Sequence, residues 1–90
     1  MSFSIDTLPN SNFIREYAAQ FNQIPTGFVR QCDECFNGNE SKEFYRGLLI
    51  GYANAQNLLR QVDPNSTNSI NSLGMIVSYI SRRYLDMNTL

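Results

Sequence analysis

The chain has no histidine and no tryptophan, two cysteines, three prolines and a single lysine, Lys42, in 90 residues. Each shortage excludes something. Without histidine the commonest general base is missing, and a four-ligand zinc site cannot be completed in one chain from two cysteines and imidazole. Charge is scarce as well: 17% of residues are charged, against about 25% in an ordinary domain. The net charge is −1, which argues against both a strongly basic nucleic-acid coat and a densely acidic mimic of DNA. No apolar run approaches the roughly 20 residues that a bilayer-crossing helix needs. The opening residues, Met1–Asp6, lack a basic n-region and an apolar h-region, so a cytoplasmic setting with reduced thiols is expected, and no membrane.

What is present is a moderate apolar fraction, 42%, and a surface rich in Asn, Ser and Gln. Ninety residues make one domain. Neutral amides repel a neighbour less than like charges do, so such a surface tolerates contact with another protein. A compositional bias of the source genome produces the same pattern without any function.

Apolar spacing near 100° per residue predicts an all-α fold: a small four-helix domain in which two short helices precede a long helical hairpin. Residues 1–10 read as an extended lead-in. The first helix is expected at about 11–23, capped by Asn10 or Ser11, with Phe13, Ile14, Tyr17, Ala18, Phe21 and Ile24 on one side. Pro25 breaks it, and Thr26 is a candidate cap for a second helix at about 27–37. There Phe28, Val29, Cys32, Cys35 and Phe36 share one arc, and Gly38 is a natural stop. A third helix is expected at about 40–62, capped by Asn39, with Glu40 and Glu43 favoured by its N-terminal dipole and Arg60 by its far end. Asp63–Pro64 ends it. The fourth, about 67–87, buries Ile70, Leu73, Ile76, Val77, Ile80, Tyr84 and Met87, with Arg82 and Arg83 towards its C-terminal dipole.

The third helix carries the most information. Phe44, Leu48, Tyr52, Leu59 and Val62, with Gly47, Gly51, Ala55 and Leu58, form a broad stripe that suffices to seat it. Leu49, Ile50 and Ala53 then point away. A helix apolar on two sides needs cover on two sides, and a chain this short has few elements to supply it. Gly47, Gly51 and Ala55 also form a ladder of small residues. Glycine inside a helix costs roughly 1 kcal/mol against alanine, so close approach of another backbone is expected there. That approach is from the first or fourth helix, or else from a second chain or a ligand.

Cys32-Asp-Glu-Cys35 is the only formal motif. A C-x-x-C pair can hold zinc or exchange disulfides. Two acids between the thiols oppose redox activation, and zinc would need either Asp33, Glu34 or another carboxylate as further ligands or a two-fold partner to double the thiolates. Both cysteines fall on the apolar arc, where free cysteine packs as a small hydrophobe. No phosphate loop follows a strand, and no carboxylate pair faces a common site. No catalytic residue, cofactor or single-chain metal is expected.

The reading is a non-catalytic protein–protein interaction module. It is expected to be a homo-oligomer acting as an adaptor or an inhibitor, such as a phage-encoded inhibitor of a host system, by occupying a surface of another protein. The expected surface is Leu49, Ile50, Ala53, Met75 and Tyr79, rimmed by Arg46 and Arg82. The alternative is a nucleic-acid-binding regulator using arginine and tyrosine on the third and fourth helices. A lesser one is zinc shared between chains through Cys32 and Cys35.

Overall fold

A computed structural model describes residues 8–36 and 41–88. It is all-helical: α1 (Ser11–Ala19) runs into a 3-10 turn (Gln20–Gln23), followed by α2 (Thr26–Cys35), α3 (Lys42–Val62) and α4 (Thr67–Asn88). No strand occurs among the described residues. Two short helices therefore precede two long ones, as the apolar spacing predicts.

Local chemistry sets the ends. Asn10 caps α1, its Oδ1 accepting from the Phe13 N–H at 2.9 Å. The last turn of the expected first helix tightens to 3-10 geometry before Ile24 turns extended ahead of Pro25. Thr26 does not cap α2. It is the first helical residue, and Pro25 stands at the cap position without a side-chain bond. Proline just outside a helix start has the right φ and no N–H to orphan. Ser41 caps α3, accepting from the Phe44 N–H at 3.1 Å. The expected cap Asn39, with Gly38 and Glu40, lies outside the described residues. The hairpin closes through Asp63, whose N–H returns to the Leu59 carbonyl at 2.8 Å and whose carbonyl accepts from Ser66 at 3.1 Å.

α4 is the central element. It packs against α3 and α1 along its length and meets α2 near its middle. Val77, Ser78, Tyr79, Ile80 and Ser81 are consecutive buried residues, so its centre is covered all round. α1 contributes Ile14 and Ala18, with Ile24 beyond the 3-10 turn, on the predicted face. α2 reaches the core through Cys32 and Phe36. The Phe36 ring sits 6.0 Å from Tyr79, 6.3 Å from Tyr52 and 6.4 Å from Phe44. Edge-to-face and tilted contacts at these spacings add to burial.

α3 is rotated relative to the sequence reading. Its inward line is Tyr45, Leu49, Tyr52 and Gln56, and Ile50 is buried as well. Gly47, Gly51, Ala55, Leu58 and Val62 point outward. The reason is area. Burial stabilises by about 25 cal/mol per Å² of apolar surface, and glycine and alanine bring very little. The large side chains at 45, 49, 50 and 52 outweigh a more numerous set of small ones.

Candidate functional site

The rotation of α3 decides the fate of the expected interaction surface. Leu49 is fully buried and Ile50 is 8% exposed within a single chain. They need no second copy to cover them, which removes the surplus apolar area on which that surface rested. Tyr79 is 1% exposed; it belongs to the core rather than to a surface. Met75 and Ala53 are half-buried, as is Arg46. Arg82 is exposed, pairs with Asp86 at 3.4 Å and lies 5.5 Å from the Phe21 ring. The residues expected to form one patch are therefore not assembled into one.

Arg82 and Arg83 do not serve the helix end either; neither lies in the last turn of α4. Arg83 donates to Asp33 Oδ1 at 2.7 Å and, at 3.3 Å, to the Tyr79 hydroxyl. Tyr79 donates to the same Asp33 oxygen at 2.5 Å. This triad ties α2 to α4. The Tyr79 and Arg83 bonds hold the Asp33 carboxyl below its ordinary value of 3.8. Burial, then the bond to Asp33, raises the Tyr79 phenol. The triad is a clasp between α2 and α4.

The cysteines separate. Cys32 is buried, while Cys35, expected on the apolar arc, is exposed. Burial, reinforced by the negative charges of Cys35 and Asp33, pushes the Cys32 thiol up to about 11. Among the described residues no three His, Cys, Asp or Glu side chains gather as metal ligands.

Two features remain as candidate sites. The first is the outer face of α3. Among the described residues nothing lies within 4 Å of where a Cβ would stand at Gly47 or Gly51, so the approach from α1 or α4 expected at the small-residue ladder does not occur there. Continuing along that face, Leu58 is 50% and Val62 69% exposed.

The second is a polar cleft of about 300 Å³ between α1, the 3-10 turn, α3 and α4. Gln56, only 3% exposed, lies in it. Its Oε1 accepts from the Tyr17 hydroxyl at 3.2 Å, and its Nε2 donates to the Ile70 carbonyl at 3.3 Å. One amide thus bridges three helices. Gly74 gives it room, since a Cβ there would stand 2.9 Å from Gln56 Nε2. Around this floor lie Gln20, Gln23, Asn71 and Arg60. A second cleft, about 420 Å³, shares Gln56 and Arg60 and adds Asn54 and Asn57. Sequence reasoning missed this site because glutamine reads as an outward residue. The signal was its register with Tyr45, Leu49 and Tyr52.

Comparison with known protein families, curated proteins and solved structures gave no match. No helix of the described residues is long and apolar enough to cross a membrane.

Proposed function

We propose that this chain is a non-catalytic protein–protein interaction module that pairs with a second copy through the outer face of α3. The observation that carries the reading is the exposure of Leu58 and Val62 in line with Gly51 and Ala55. Large exposed apolar side chains continuous with a small-residue ladder favour a helix crossing, because the ladder lets two backbones approach and the large residues close the ends.

The face is self-complementary. A two-fold axis at Gly51, with the helices antiparallel, sets Gly47 of one copy against Ala55 of the other. The same patch then serves both subunits, as a two-fold pair requires, and the helix dipoles oppose. From Gly47 to Val62 the face is about 22 Å long at 1.5 Å per residue. That is one helix face and not a broad interface, so pairing is expected to depend on concentration.

Sedimentation equilibrium across a wide concentration range tests this. The mass should rise above 10.3 kDa with concentration, and Leu58→Glu or Val62→Glu should restore the single-chain mass with helicity unchanged. A wild-type protein that stays at the single-chain mass at the highest soluble concentration would overturn the proposal.

A further inference from the structure

We propose that the cleft over Gln56 binds a small carboxylate that also carries an amide or hydroxyl group, with Arg60 taking the carboxylate and Gln56 forming the floor. Three independent observations converge on it.

The first is the placement of Gln56. It occupies a position of the inward line of α3 that a leucine of similar volume would fill without burying an amide. A buried amide that is incompletely paired is unfavourable. A glutamine side chain offers two N–H donors and two acceptor positions. The chain's bonds are one donated to Ile70 and one accepted from Tyr17. These fix the orientation of the amide and give each of its polar atoms a partner; by valence one N–H and one acceptor position are left over in a side chain that lines the cleft. A preorganised polar floor of this kind sets ligand orientation in small-molecule sites.

The second is charge. Among the described residues no aspartate or glutamate lines either cleft beside Gln56, and Arg60 lines both. Arg60 is exposed and has no ion-pair or hydrogen-bond partner among the described residues. Asp63, three positions on, is bonded to Ser66 Oγ at 2.5 Å. The arginines at 82 and 83, by contrast, each have a carboxylate partner. A free guanidinium among neutral amides matches an anion whose remaining groups exchange neutral hydrogen bonds. The C-terminal dipole of α3 disfavours an anion, but the N-terminal end of α4 stands beside it in the hairpin and offsets it. Arg60 therefore sets the sign.

The third is size. A cleft of about 300 Å³ is at the small end of ligand sites. It suits a solute with one charge and one or two neutral polar groups rather than a nucleotide. Gln20, Gln23 and Asn71 at the rim carry both donors and acceptors, which suits a peptide-like amide.

The probe is N-acetylglycine, which has one carboxylate and one amide. Its neutral analogue N-acetylglycinamide is the control, and both are titrated into ¹⁵N-labelled full chain. Saturable shifts are expected at the side-chain amides of Gln20, Gln23 and Gln56 and the backbone amides of Asn71 and Gly74, with an affinity of about millimolar. The neutral analogue should bind about tenfold more weakly. Arg60→Gln should bring the two probes level without moving the thermal midpoint, because Arg60 has no hydrogen-bond or ion-pair partner among the described residues. Gln56→Leu should abolish the saturable shifts, and if that variant is poorly folded Arg60→Gln decides alone. The proposal is overturned by absence of saturable shifts at tens of millimolar, by equal binding of both probes to the wild type, by an unchanged preference in Arg60→Gln, or by chloride at the same ionic strength reproducing the shifts.

Discussion

Three glycines of one small protein answer differently to the same added methyl group. At Gly47 and Gly51 a Cβ meets nothing within 4 Å, so alanine should raise stability by about 0.5–1 kcal/mol through helix propensity alone. Urea unfolding of the dilute protein measures that gain. If α3 is the pairing face, the same substitutions should weaken association, since the methyl groups hold the crossing helices apart. Stabilisation with unchanged association would separate the ladder from any contact. Gly74 should behave otherwise. A Cβ there displaces the Gln56 amide from 2.9 Å and threatens its bond to Ile70, worth about 1 kcal/mol, which cancels the propensity gain. A Gly74→Ala variant as stabilised as Gly51→Ala would mean that Gln56 is not held in place by its bonds. The cysteines offer a further residue-level check. With a thiol pushed up to about 11 and buried, Cys32 should resist alkylation of the native protein at pH 8, whereas exposed Cys35 should react. Two equally fast thiols would contradict the burial of Cys32. At this scale the sequence was least legible. Gly47, Gly51 and Ala55 count as apolar letters but carry almost no buried area, and so they turned the helical wheel of α3 towards the wrong side. Weighting each position by side-chain size would have placed Tyr45, Leu49 and Tyr52 inside and exposed the anomaly of Gln56.

Among the elements, α2 has the slightest attachment to the rest. It is held by the Phe36 ring among Tyr79, Tyr52 and Phe44 and by the Asp33 clasp on Tyr79 and Arg83. Asp33→Ala should cost about 1–2 kcal/mol, because the buried Tyr79 hydroxyl keeps only its long bond from Arg83. The clasp also has a pH sign. The folded carboxyl lies below its ordinary value of 3.8, so its contribution is complete above that value. It drains as pH falls through the lower folded value. The ion pair is about half open to solvent on both partners, which keeps the effect small. Acid titration of wild type and Asp33→Asn should show the wild-type advantage narrowing below pH 4 and constant from 5 to 7. An advantage that grows on acidification would contradict the assignment. Helix existence was legible at this scale, and the cap of α1 was narrowed to Asn10 or Ser11, because the apolar period and the prolines at 9, 25 and 64 punctuate the chain plainly. The Asp33 clasp was not. It joins residues 46 and 50 positions apart, and nothing local in Cys32–Cys35 announces a partner on α4.

At the level of the whole molecule, α4 is the common neighbour of α1, α2 and α3. That arrangement explains how so short a chain buries Leu49 and Ile50 while the small-residue side of α3 stays open. The cover expected from a second copy comes from within, because α4 is itself surrounded and so lends each neighbour a buried flank. Periodicity alone could count the helices but not assign which one sits in the middle. Two serines at the centre of α4, Ser78 and Ser81, are buried. Their small size suits α4 to close neighbours on this side, as with Gly74 beneath Gln56.

The division between α4 and the outer side of α3 has a practical meaning. An atom altered at the middle of α4 is felt in several directions together, whereas among the described residues a side chain added at Gly47 or Gly51 meets open space, and Leu58 and Val62 are exposed. Stability and outward identity are thus written in different letters of the same short text. The chain can be re-addressed without being rebuilt.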